Sequence, residues 1–223
     1  MADWATISAL ATAGGTLVLA VATFASVRSA NRSARAAERS LLSGLRPLLL
    51  PSRMEDPPEK IGFVDVHWVR VPGGHAHAEA REDAIYLAIP LRNVGQGLAV
   101  LDGWEFLPEQ FGGPVDHPDV VSFRRLTRDL YIPPRDLGFW QGAFRDPSDP
   151  AFAAAAKLIT ERQPFMIDVL YSDGEGGQRM ISRFTVRPIG DDDWLAAAAR
   201  HWNIDRDDPR SPRQSKRGLP RIW

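Results

Sequence analysis

The chain has 223 residues, with 27 Lys and Arg against 28 Asp and Glu, for a net charge of −1. That balance excludes a nucleic-acid protein held by bulk charge. The absence of cysteine excludes disulfides, thiolate metal sites and cysteine nucleophiles.

Trp4 to Val27 (WATISALATAGGTLVLAVATFASV) carries no charged side chain. A spanning helix needs about 20 mainly apolar residues, each rising about 1.5 Å. These 24 residues reach about 36 Å, enough to cross with some tilt. Leu10, Leu17, Val18, Leu19, Val21 and Phe24 carry the apolar weight. Asp3 is the only charge before the run, so the basic leader of a signal peptide is missing. The stretch predicts a membrane anchor. Arg28, Arg32, Arg35 and Arg39 follow it, and basic residues flanking a span stay cytoplasmic. The expected placement is a single pass through the inner membrane, N-terminus outside and the bulk of the chain cytoplasmic.

From Arg28 to Arg46 (RSANRSARAAERSLLSGLR) there is no proline, so the helix is expected to run on past the bilayer. Arg28, Arg32, Arg35, Arg39 and Arg46 fall within about 60° of arc on a helix. This stripe is the candidate lipid contact, since each basic residue near an anionic surface is worth about 1 kcal/mol. A solvated flank that merely orients the anchor is the plainer alternative. Ala30, Ala34, Ala37, Leu41 and Leu45 lie opposite. That face continues into the membrane as Ala13, Thr16, Ala20, Thr23 and Val27, small residues that would let two anchor helices pack as a homodimer.

Residues 1–46 therefore form an anchor and basic juxtamembrane helix. Pro47 ends it, and 47–60, rich in Pro and charge, reads as a linker. From Ile61 the apolar period changes to two. Ile85, Leu87, Ile89 and Leu91 alternate with Tyr86, Ala88, Pro90 and Arg92. Met180, Phe184 and Val186 share a face, with Arg179, Arg183, Thr185 and Arg187 pointing away. Strands are expected at about 61–71, 84–93, 97–107, 120–126, 137–145, 164–172 and 178–188. About seven short alternating strands over 61–205 predict a mainly β domain, an immunoglobulin-like β-sandwich, with Trp68, Trp104 and Trp140 between the sheets. Two short helices accompany it. Ser148 or Asp149 caps one, with Pro150 in its first turn and Phe152, Ala155, Ala156 and Ile159 buried. Asp191 opens the other, with Trp194, Leu195, Ala198 and Trp202 facing the sandwich. The basic tail, 206–223, is too polar to order itself.

Several motifs resemble chemistry and fall short of it. Asn93-Val94-Gly95-Gln96-Gly97 begins like a dinucleotide loop, but Val100 occupies the third glycine position and a strand follows, so it reads as a glycine-rich turn between two strands. Asp173 to Gly177 lacks the Lys and Ser/Thr of a phosphate loop and reads as a hairpin turn. His75, His77 and His117, with Asp116 and Asp119, are candidate metal ligands, since three imidazoles suffice for zinc; as loop residues they are otherwise ordinary surface groups. Arg124, Arg125, Arg128 and Arg135, around Tyr131, form a basic loop that suits phosphate or lipid headgroups, or simply solvent.

The plan resembles that of uncharacterised bacterial single-pass membrane proteins. The resemblance rests on the N-terminal helix, the Arg-rich flank, the Leu-Arg-Pro-Leu joint at Leu45 to Leu48 and Asn-Val-Gly-x-Gly at Asn93 to Gly97. It covers about residues 4 to 188 and implies a cytoplasmic β-sandwich, with no activity and no functional residues attached.

The leading expectation is a non-catalytic, membrane-anchored cytoplasmic interaction module that contacts lipid and an unknown protein partner, with no cofactor, metal or nucleic acid. One alternative is an enzyme or metal-binding protein at the inner membrane face using His75, His77 and His117. The other is a sensor of anionic lipid surfaces using the Arg stripe and tail. Val18→Arg places a charge mid-span at a cost of about 2.5–3.5 kcal/mol. Fractionation of carbonate-washed membranes should show the variant lost from the pellet, whereas full retention would assign anchoring to another element.

Overall fold

The computed structural model describes residues 3–108 and 117–205. The chain divides into two compact units, Met1–Gly44 and Leu45–Trp223. The first is a single helix, α1 (Trp4–Gly44). Its stretch Thr12–Glu38, 27 residues, is long and apolar enough to cross a membrane, and none of it is buried against protein. Leu17, Val18, Leu19, Val21 and Phe24 are all exposed. Two hydroxyls along it are satisfied within the helix, as hydrocarbon would require: Thr16 donates to the Thr12 carbonyl (2.9 Å) and Thr23 to that of Leu19 (2.8 Å).

The second unit is a curled sheet. Its strands are β1 (Leu49–Pro51), β2 (Glu59–Gly62), β3 (Trp68–Val71), β4 (His75–Ala80), β5 (Ile85–Asn93), β6 (Ala99–Pro108), β7 (Arg124–Ile132), β8 (Leu137–Phe144), β9 (Phe165–Ser172), β10 (Met180–Ile189) and β11 (Asp193–Asn203). A helix, α2 (Pro150–Thr160), lies between β8 and β9. Nine strands form one sheet in the order β1-β5-β4-β11-β10-β9-β6-β7, with β8 also on β5; β2 and β3 form a separate hairpin.

Strand β4 turns the corner. His75 and Ala76 pair with β11, while His77 to Ala80 pair with β5. One strand thus belongs to both halves of the sheet, the usual way a sheet folds over on itself. The fold-over brings inward faces from distant parts of the path together. Trp104 of β6 meets Trp140 of β8, ring centroids 5.4 Å apart, and both are buried in one core with Ile85, Leu87, Ile89, Leu91, Phe165, Ile167 and Phe184. α2 lies against β4, β5 and β6. Asp149 caps it by accepting from the Ala151 N–H (2.9 Å), Pro150 starts it, and Phe152, Ala155 and Ile159 face the core. The other face of β5 is covered too. The β2–β3 hairpin packs Ile61, Phe63 and Val71 on Tyr86 and Ala88, which is why β5 is buried on both sides.

Several expectations change. Eleven strands are described where about seven were expected, and they make one curled sheet plus a hairpin. The segment 61–71 is two strands and a loop. The run 47–60 is not a free linker, because Leu49 is fully buried and β1 pairs with β5. Residues 120–122 form a single 3-10 turn, with the strand beginning at Arg124. Trp68 does not enter the core: it is 56% exposed and stacks under the Lys60 ammonium (4.8 Å). The second short helix is strand β11. Four consecutive alanines favour a helix locally, but residues 193–203 pair with β10 along its whole length, with a register shift beside Ala198. After that shift His201, not Trp202, faces inward and meets Ser182 (2.7 Å). Trp202 lies on the outer face over the Arg183 guanidinium (4.9 Å). There Arg183 and the fully buried Asp168 form two bonds of 2.7 Å. Burial raises the Asp168 carboxyl above its ordinary value, and the Arg183 bonds oppose that shift.

The turn from Asn93 to Gly97 joins β5 to β6, but these strands are not partners, so it is a crossing between the two halves and not a hairpin. Asn93 is fully buried at this crossing. Its Oδ1 accepts from the Leu48 N–H (3.1 Å) and the Gly95 N–H (3.0 Å). Its Nδ2 donates to the carbonyls of Gly97 (2.7 Å) and Ile132 (3.0 Å). That is the full capacity of the amide. Asn93→Ala strands buried backbone groups, each costing about 1–3 kcal/mol when unsatisfied. Denaturation of the full chain in micelles, followed by tryptophan fluorescence, should show the variant less stable by about 3 kcal/mol; an unchanged midpoint would remove Asn93 from that role.

Candidate functional site

The hairpin that covers β5 also assembles a polar cluster. The chain reverses between β2 and β3 through Val66, which takes a left-handed backbone (φ 63°), and His67 at the end of that loop turns toward β4. The His67 ring lies against Tyr86 of β5 (centroids 4.3 Å) and stacks on Phe63 (5.8 Å). Its Nε2 is 2.9 Å from Glu79 Oε2, and His77 Nε2 is 3.3 Å from the same oxygen. His77 and Glu79 are two apart on β4 and so project to one side.

Arg81 completes the cluster. Its Nε donates to Glu79 Oε1 (2.7 Å), its Nη2 to His67 Nδ1 (3.2 Å), and its guanidinium lies over the Tyr86 ring (5.2 Å). A guanidinium only donates, so His67 Nδ1 accepts and its proton sits on Nε2, facing Glu79. Below this, the Tyr86 hydroxyl donates to Asp65 (2.6 Å), which also accepts from Arg145 (3.3 Å). Burial lowers the His77 pKa, outweighing the opposite pull of Glu79; the carboxylate oxygen beside its Nε2 only accepts, so that nitrogen carries the proton. Burial works to raise the Glu79 pKa, but Arg81 and the two histidines outweigh it and keep the carboxylate ionised.

His67, His77 and Glu79 are the one set of His, Asp and Glu among the described residues whose ligand atoms lie within metal reach, all within 4.8 Å of one another. His77 was expected as a candidate ligand; His67 and Glu79 were not. Glu79, two residues on from His77 in the alternating run His75 to Ala80, carried a signal in its spacing; His67 shares no motif with either, and the hairpin's packing alone brings it there. His75 and His117 do not join. The His75 ring is turned to the Gly73 carbonyl (2.9 Å), and the exposed His117 bonds its neighbour Pro118 (2.9 Å).

The expected basic loop is mostly strand, and its arginines are dispersed. Arg124 is paired with Asp149, Arg128 donates to Gln141 (3.1 Å) and Arg135 to Gln96 (2.9 Å). Arg28, Arg32 and Arg35 are exposed on α1. Arg39 is helical, but its side chain lies outside the described residues, as do Asp116 and the basic tail. Arg46 does not extend the stripe. The helix has ended at Gly44, and Arg46 is half-buried in the β unit, its Nε donating to Gln178 (3.3 Å). Asn203, with its amide turned to satisfy its neighbours, accepts from the same guanidinium at 3.1 and 3.3 Å.

A second feature lies where β11 leaves β4. Pairing stops after Leu195, with one further bond from the Ala196 N–H to the Gly74 carbonyl (3.2 Å). Ala197, Ala198 and Ala199 are exposed, and no described strand pairs with this side of them. A groove of about 670 Å³ runs beside them, lined by Ser52, Arg53, Met54, Gly74, Thr185, Arg187 and Leu195 to Ala199.

No protein-family model matches this chain, and no curated protein matches it in sequence.

Proposed function

We propose that this protein is a non-catalytic interaction module tethered to the inner membrane, which binds an extended, acidic polypeptide segment along the open edge of β11. The observation that carries the reading is that edge. Strand edges with free backbone groups bind extended chains by adding a strand, and most proteins protect such edges with charge, proline or a covering element. Here three alanines leave room for a second backbone, while Arg53 lines the groove and favours acidic side chains. The apolar stretch of α1, unburied over Thr12–Glu38, supports a membrane anchor, and Asp3 before the uncharged run 4–27 with Arg28, Arg32 and Arg35 after it supports N-terminus out and β unit in. The same arginines suit contact with anionic lipid.

Two measurements test this. A reporter enzyme active only in the cytoplasm, fused after Trp223, should be active; activity only from a periplasmic reporter at that position would overturn the orientation. A fluorescent octapeptide of alternating Glu and Val should bind the purified full chain by anisotropy and lose that binding in the Ala197→Glu/Ala199→Glu variant. Those positions are exposed, so the fold should be unchanged by circular dichroism. Equal binding by both proteins, or binding by neither, would overturn the edge as the binding surface.

A further inference from the structure

We propose that His67, His77 and Glu79 form a three-donor site for a divalent transition metal of the zinc class, with Arg81 as the group that opposes its entry. The site is independent of the β11 edge.

The donor set is two imidazole nitrogens and one carboxylate oxygen, a known combination for zinc with a fourth position open to water or an outside ligand. Tetrahedral zinc at about 2.0–2.1 Å from each donor places the donors about 3.4 Å apart. The distances already present are 2.9 and 3.3 Å from Glu79 Oε2 to the two histidine nitrogens, with every donor pair within 4.8 Å. Small side-chain rotations therefore suffice. The donors are also held in place. His77 and Glu79 project from a paired strand, and His67 is fixed between Phe63 and Tyr86. Such support around ligands is part of what makes a metal site selective. His77 Nε2 also faces the Glu79 carboxylate, an acceptor only, so its proton must leave that nitrogen before a metal can take the lone pair there.

Arg81 sets the condition for binding. Its bond to His67 Nδ1 keeps the His67 proton on Nε2, the nitrogen that faces the other two donors. A metal at Nε2 needs the lone pair there, so the proton must move to Nδ1. An Nδ1–H cannot accept from Arg81, and that bond must break. The guanidinium charge also repels a dication directly. Arg81 is 45% exposed at its side chain and has water to turn into. Removal of its guanidinium should therefore strengthen metal binding, whereas a role confined to neutralising Glu79 would make its loss neutral or harmful.

The test uses the full chain in detergent micelles, carrying no polyhistidine tag, stripped with chelator and titrated with cobalt(II). One equivalent should bind and produce the visible absorption of four-coordinate cobalt, and zinc should displace it. His77→Ala should weaken binding about 100-fold or more, and Glu79→Gln, which keeps the side-chain shape, at least about 10-fold. Arg81→Ala should tighten binding about 10-fold. A gain of affinity at one equivalent, with the four-coordinate cobalt absorption retained, is not what scattered binding to an unfolded chain gives, so this variant keeps the test decisive if the ligand variants lose structure. No saturable single-equivalent binding by the natural protein, or undiminished binding in His77→Ala and Glu79→Gln, would overturn the site. Unchanged or weaker binding in Arg81→Ala would overturn the gating role of Arg81.

Discussion

The β unit depends on the buried amide of Asn93. Four hydrogen bonds from one side chain join the incoming chain at Leu48, the crossing turn at Gly95 and Gly97, and the end of β7 at Ile132. Its backbone adds two more, donating to the Asp136 carbonyl (3.0 Å) and accepting from the Arg135 N–H (2.9 Å). A curled sheet must close where its ends approach, and the backbone there has no regular ladder to use. Asn93 supplies donors and acceptors in its place, away from water, where an unmet group is costly.

The glycines of the same turn explain how the chain can enter so closely. A Cβ at Gly97 would lie 1.7 Å from the Leu45 carbonyl oxygen, and one at Gly95 2.3 Å from that of Arg46. Only glycine permits the contact, which the Val94 N–H completes by donating to the Leu48 carbonyl (2.8 Å). The Leu-Arg-Pro-Leu joint and the Asn-Val-Gly-x-Gly turn, which looked like two separate signatures, are therefore the two sides of one clamp. A buried polar chain continues it. The Leu49 N–H donates to the Tyr171 hydroxyl (3.3 Å), which bonds Ser182 (2.8 Å), which bonds His201 (2.7 Å). Burial raises the tyrosine pKa to about 12, so it stays a neutral hydrogen-bonding group.

Strand β4 links this architecture to both candidate surfaces. Its first residues hold the start of β11, and where that pairing ends the β11 edge becomes open. Its later residues pair with β5 and present His77 and Glu79 to the hairpin that brings His67. The turn of the sheet that encloses the core thus creates an unfinished edge on one side and a polar cluster on the other. Both are consequences of one strand serving two halves.

The sequence by itself determined what depends on neighbours along the chain. The apolar run of α1, the alternation in β5, β9 and β10, the Asp149-Pro150 start of α2 and the Asp173 hairpin turn were all legible, because hydrophobic period, capping and turn chemistry act within a few residues. Tertiary structure decided the rest. The alanines of β11 favour a helix locally, and only the length of β10 beside them makes them a strand. Arg46 fits a helical stripe by its angle, but the helix stops at Gly44 and Gln178 engages its side chain. His67 and His77 sit on different elements and meet only because the hairpin docks on β5. These outcomes rest on contacts between residues far apart in sequence, whose free energy comes from burial and pairing in the folded chain and leaves no periodic mark on the sequence.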